Sequence, residues 1–132
     1  MKKIFLFSIL VPFLFSCAQV SIDENKAKAR VSELITLIQN HQFDKTKEYY
    51  SDSFNESEPL DARIKKFEQI ETASGPIVSF ELIDCSKKQA DERTLVALSY
   101  KVTCKNTVLI ESFAVGLEEG SYKILKHDIT NK

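Results

Sequence analysis

The sequence has no tryptophan, three glycines, three cysteines and two histidines among its 132 residues, and each scarcity closes a class of function. So few glycines leave no glycine-rich phosphate cradle, and no G-x-S-x-G nucleophile elbow occurs. His41 and His127 lie far apart with no CxxC or HxxxH companion, so neither a metal site nor a bound cofactor is expected. Cys85 and Cys104 lack a CxxC arrangement or a neighbouring histidine, which argues against thiol redox chemistry. No apolar run reaches the roughly 20 residues that a helix needs to cross a bilayer. No stretch of lysine and arginine interleaved with aromatics suggests a nucleic-acid partner. Asp91-Glu92 and Glu118-Glu119 are acidic pairs at turns, read as solvated loop charges rather than calcium ligands.

What is present begins with Met1-Lys2-Lys3 and an apolar run from Ile4 to Phe15, broken only by Ser8 and Pro12. A basic start and a run of about a dozen apolar residues have the proportions of a secretory signal. Leu14-Phe15-Ser16-Cys17 closes it and resembles a bacterial lipobox, in which the cysteine is lipidated and the chain is cut just before it. Phe15 is bulkier than the usual residue there. The alternative is a secretory peptide with an incidental cysteine. The resemblance implies a signal peptide over residues 1–16, lipidation at Cys17, a short tether over 17–22 and one domain over 23–132. Two or more acyl chains suffice for stable anchoring, so the expected address is the bacterial cell envelope. Ala18, where an aspartate would hint at the inner membrane, favours the outer one. Removing 16 of 132 residues leaves 116, with 16 basic against 19 acidic side chains, a formal charge of −3. That sign is the wrong one for nucleic acid.

Beyond the tether the apolar residues first follow a period of 3.6. Ala27, Val31, Leu34, Ile35 and Ile38 form one stripe of a helix over about Ser21–Asn40, with Ser21 and Glu24 spaced as a capping box. A second helix is expected over Phe43–Phe54, with Phe43, Tyr50 and Phe54 on one side. A third is expected to start at a Ser57 cap, with Pro59 in its first turn and Leu60, Ile64, Phe67 and Ile70 as its stripe. Ser74-Gly75-Pro76 stops it.

The period then switches to two. Val78, Phe80 and Leu82 mark a first strand, followed by a polar loop over Ser86–Arg93. Val96, Leu98, Tyr100 and Val102 mark a second strand. Turns at Lys105-Asn106 and Glu118–Ser121 lead to strands over Thr107–Leu117 and Tyr122–Ile129. Helices first and strands after imply an α+β fold, with helices packed on one face of a four-stranded antiparallel meander. In a hairpin centred near Gln89 and Ala90, Cys85 would face Thr94 and Cys104 would lie roughly 30 Å away. A disulfide needs Cα atoms within about 7 Å, so none is expected between them.

Three helices, a Gly-Pro stop and a four-stranded meander resemble the layout of the cystatin-like and nuclear-transport-factor-like superfamily. The stretch His41–Tyr50 is similar to its helix ending in an aromatic turn. The run Gly120–Ile129 is similar to its last strand, with Tyr122 where tryptophan is usual. The resemblance implies a curved sheet and either of two functions. One is a non-enzymatic lipoprotein module that binds a small ligand or a partner protein, with a homodimer through sheet faces open to it. The other is a small isomerase or dehydratase with an acidic or histidine base, for which Asp84, His127, Asp128, Tyr100 and Tyr122 are the candidates. Tyr100 and Tyr122 read equally well as core aromatics, and His127 and Asp128 as parts of a frayed last strand. With no catalytic constellation in the sequence, the first is preferred.

Overall fold

The computed structural model describes residues 21–132; the expected signal peptide, Cys17 and most of the expected tether lie outside the described residues. In chain order the elements are helix α1 (Glu24–Gln39), a 3₁₀ segment (Phe43–Tyr49), a short helix α2 (Asp52–Ser57), helix α3 (Leu60–Ser74), and strands β1 (Ile77–Ala90), β2 (Arg93–Cys104), β3 (Val108–Glu118) and β4 (Ser121–Asn131). The strands form one antiparallel sheet in sequence order, β1-β2-β3-β4, and the helices pack against it. The α+β expectation holds at that level.

α1 forms because its apolar residues recur on one face: Ala27, Val31, Leu34 and Ile35 are fully buried. They meet Val96, Leu98, Tyr100 and Val102 of β2, together with Phe113, Val115 and Ile124. The helix start differs from expectation. Asp23, not Ser21, is the N-cap, its Oδ1 accepting from the amides of Asn25 (2.7 Å) and Lys26 (3.4 Å). A carboxylate at this position also suits the positive end of the helix dipole. Ile22, at the end of the expected tether, is 3% exposed and belongs to the core.

The single second helix expected over Phe43–Phe54 is two pieces. The chain leaves the 3₁₀ segment at Tyr50, which is extended (φ −98, ψ 151) and forms an isolated parallel bridge with Ile124 of β4. Ser51 donates its amide to the Ile124 carbonyl (2.9 Å) and then caps α2 through its hydroxyl. Ser57 does not cap α3; its hydroxyl donates back to the Phe54 carbonyl, and Pro59 occupies the cap position. α3 ends at Gly75, whose φ of +80 lies in the left-handed region, and whose missing side chain leaves room for Lys105: an added Cβ would stand 2.9 Å from the Lys105 Cβ. The amides of Lys105 and Asn106 donate to Pro76 and Ser74, which fastens the β2–β3 turn to the helix end.

β1 is longer than expected. The polar segment Ser86–Ala90 is not a loop but continues the strand, paired with Arg93–Ala97 of β2, and the turn falls at Asp91-Glu92. As the edge of the sheet, β1 can carry Lys87, Lys88 and Gln89 in solvent without losing its ladder to β2. Register slips between Ile77 and Ser79 and between Leu82 and Asp84 leave Val78 and Ile83 as bulge residues. Cys85 therefore faces Leu98 rather than Thr94, Cys104 faces Ile77, and both are free thiols. Glu119 and Gly120, with φ of 51 and 80, make the two-residue turn between β3 and β4, the conformation a tight hairpin requires.

Candidate functional site

A period-two strand that packs one face on a core should present apolar residues there. β3 does so at Leu109, Phe113 and Val115, and then places Glu111 in phase with them, 4% exposed. A carboxylate so buried needs a donor. It has one in His127 of β4, whose Nε2 is 2.7 Å from Glu111 Oε1. The other ring nitrogen, Nδ1, lies 2.9 Å from the hydroxyl of Tyr50. Phe113 stacks on the imidazole at 4.2 Å between centroids, and Phe54 stacks on Tyr50 at 4.6 Å.

Beyond Tyr50 stands Arg63 of α3, with no exposed side-chain surface. Its guanidinium carbon sits 3.9 Å above the centre of the Tyr50 ring, a cation–π contact. One Nη2 donates to Asn55 Oδ1 (2.6 Å) and to the Glu58 carbonyl (3.1 Å), while Nε stands 3.9 Å from the Glu58 carboxylate. Burial lowers the affinity of this guanidinium for its proton, and Tyr50 and Glu58 work in the opposite direction. Four elements thus converge on one buried polar line: Arg63, Tyr50, His127, Glu111.

Burial pushes the Tyr50 hydroxyl far above the ordinary 10.0. It is hydrogen-bonded to His127 Nδ1, and His127 Nε2 is hydrogen-bonded to Glu111. Both nitrogens of His127 are thus engaged within the protein.

Two spaces adjoin the line. An open groove of about 1060 Å³ runs between α3 and strands β3 and β4, with Lys66, Gln69 and Ala73 on the helix side and Leu109, Ser112 and Ile129 on the sheet side. His127 and Asp128 border it. A second, smaller cavity of about 30 Å³ reaches Glu111, with Ile70, Ser74, Leu109 and Ile129 shared between the two spaces and His41 and Glu71 also in its lining. Space of that size holds a water or two. His41, at φ 58, places its Nε2 2.7 Å from both oxygens of Glu71.

Of the candidates named from the sequence, the structure brings only His127 into this constellation. Asp84 is exposed on β1 opposite Ser99. Asp128 is exposed and pairs with Lys126 at 3.6 Å. Tyr100 is a core residue whose hydroxyl reaches the Lys28 carbonyl at 3.5 Å, and burial raises its pKa. Tyr122 accepts the amide of Asp23 at the start of α1. Tyr50, Glu111 and Arg63 were not singled out from the sequence. Glu111 and Arg63 do carry a signal, since each is a charge in phase with the apolar stripe of its element. Among the described residues no group of three or more His, Cys, Asp or Glu side chains is placed to hold a metal ion. No protein-family model matches this chain, and no curated protein matches it.

The buried pair sets a first expectation. His127→Leu strands the Glu111 carboxylate and lowers the unfolding free energy by about 3–5 kcal/mol, whereas His127→Leu with Glu111→Leu recovers much of that loss. Urea unfolding of both variants checks this; equal losses would mean that Glu111 does not depend on His127. A second expectation concerns alkaline pH. The folded pKa of Tyr50 is raised, so its contribution is whole below the unfolded value near 10 and falls as pH rises beyond it, by about 1.4 kcal/mol per pH unit. Tyr49, Tyr100, Cys85 and Cys104 are raised as well, burial being the first cause in each, and add to the same alkaline loss. Tyr50→Phe removes only the Tyr50 share: unfolding measured from pH 8 to 11.5 shows a shallower fall for the variant, and parallel curves would contradict the assignment.

Proposed function

We propose that the chain is a lipid-anchored envelope protein whose domain holds a small ligand or a segment of a partner protein in the groove between α3 and strands β3 and β4, without catalysis. The observation that carries this reading is the saturation of the groove's buried floor. His127 borders the groove but has both nitrogens engaged, and Tyr50 is kept protonated. The histidine at the groove thus has no ring nitrogen without a partner inside the protein. The groove is of mixed character, with Ile129 and Leu109 beside Gln69, Ser112 and Lys66, as binding sites that combine apolar area with a few orienting polar groups tend to be.

The order of elements, helices followed by a four-stranded meander, supports a cystatin-like or nuclear-transport-factor-like assignment. The lipobox-like Leu14-Phe15-Ser16-Cys17 supports anchoring through Cys17, with the outer membrane as the favoured site. A catalytic reading, isomerase- or dehydratase-like, draws its one support from Glu111, a buried carboxylate beside the 30 Å³ cavity. To serve as a base it would need that cavity to open by more than the volume of a water or two.

Two expected outcomes test the proposal separately. Cys17→Ser blocks incorporation of an alkyne-tagged fatty acid and moves the exported protein from the membrane to the soluble fraction. Membrane retention without labelling would remove the anchor from the reading. A photo-crosslinking amino acid at Gln69, in the groove, yields discrete adducts in native membranes, and the same group at Asp44, exposed on the 3₁₀ segment, does not. Equal labelling from the two positions would remove the groove.

A further inference from the structure

The two edges of the sheet are treated differently. β4 is covered at Ile124 by Tyr50 and Ser51, whereas β1 has no strand on its outer side among the described residues. β1 is also the longest strand, at 14 residues, and it carries the large exposed apolar side chains of the domain: Val78 at 62%, Ile83 at 56% and Leu82 at 38%. Two of these, Val78 and Ile83, are the bulge residues, pushed outward by the register slips. Sheet edges are ordinarily blunted by bulges and lysines. Here both devices are present, and they are arranged in a way that repels most strands but fits one.

Charge along β1 is divided. Glu81 and Asp84 lie before Cys85, Lys87 and Lys88 after it, and all four are exposed. An antiparallel partner with the same sequence would set each acidic half against a basic half. The pleat selects a register. Phe80, Leu82, Cys85 and Lys87 lie opposite the inward residues Val102, Tyr100, Leu98 and Val96, while Glu81, Asp84 and Lys88 lie opposite Lys101, Ser99 and Leu95 and so share the outward face. Centring a two-fold on Cys85, with the Ile83 bulge absorbed, puts Glu81 of one copy beside Lys88 of the other, twice. Glu81 has only a 3.8 Å contact with Lys101 on its own chain and is free to make that pair.

We infer that the outer edge of β1 is a self-association surface on which two copies of this chain pair antiparallel and join their sheets. The register comes from the opposed charges, and it lays the exposed Leu82 of each copy beside the aliphatic stem of Lys87 of the other. This inference is independent of what the groove holds. Tethering on one membrane would favour it further, since anchored copies meet at raised effective concentration.

Sedimentation equilibrium of the mature, lipidated protein in density-matched detergent tests it. The wild type is expected to be a reversible dimer. Glu81→Lys with Asp84→Lys makes all four charged positions basic, and Lys87→Glu with Lys88→Glu makes them all acidic. Each variant alone is expected to dimerise at least about tenfold more weakly, because like charges then face each other. An equimolar mixture of the two is expected to recover the dimer as a heterodimer. Matching thermal unfolding of the monomers establishes that the exposed substitutions leave the fold intact. A monomeric wild type, variants that dimerise as the wild type does, or a mixture that fails to recover would each overturn the inference; the second of these would place any dimer on another face.

Discussion

A negative charge in the interior of a sheet has to be answered, and the hydrogen bond from His127 to Glu111 is where this fold answers it. Without that donor, the carboxylate would be left between Phe113, Leu109 and the small cavity beside it. With it, one ring nitrogen of the histidine is occupied, and the other is hydrogen-bonded to Tyr50, where the chain between α1 and α3 leaves helix and lies against Ile124. Arg63 follows in turn, its guanidinium spread over the Tyr50 ring and its remaining contacts made with Asn55 and Glu58. One line of polar contacts thus ties the end of the 3₁₀ segment and helix α3 to strands β3 and β4.

The network is not uniformly satisfied. Both ring nitrogens of His127 and the Tyr50 hydroxyl are engaged, whereas Nε and Nη1 of the buried Arg63 have no hydrogen-bond partner among the described residues. A buried polar network is strongest where its members are satisfied, so its firm part is the run from Tyr50 through His127 to Glu111. In the proposed readings, recognition falls to the groove beside the network and to the edge of β1.

Where side-chain burial follows a local period, the sequence was readable. The α1 stripe and the alternation of β2 identified both elements, because each has one face on the core and one in water. β1 was shortened because an edge strand needs no alternation: Lys87, Lys88 and Gln89 are solvated and still extended. The second helix was drawn too long because Tyr50 obeys a partner on β4, and no local window contains that partner. Similar physics divided the site. His127 stands out as a rare residue type, whereas Tyr50 fits the apolar side of a helix with Phe43 and Phe54. Glu111 and Arg63 were passed over although each interrupts an apolar stripe. A charge in phase with a stripe announces a buried partner without naming it, and the partner here comes from a different element.

The start of the domain carries one more implication. Ile22 is sunk in the core, and the amide of Asp23 is held by the Tyr122 hydroxyl on β4. The first described residues are therefore fastened at two points, to the start of α1 through the chain and to β4 through that hydrogen bond, so that loosening either one also disturbs the seat of Ile22.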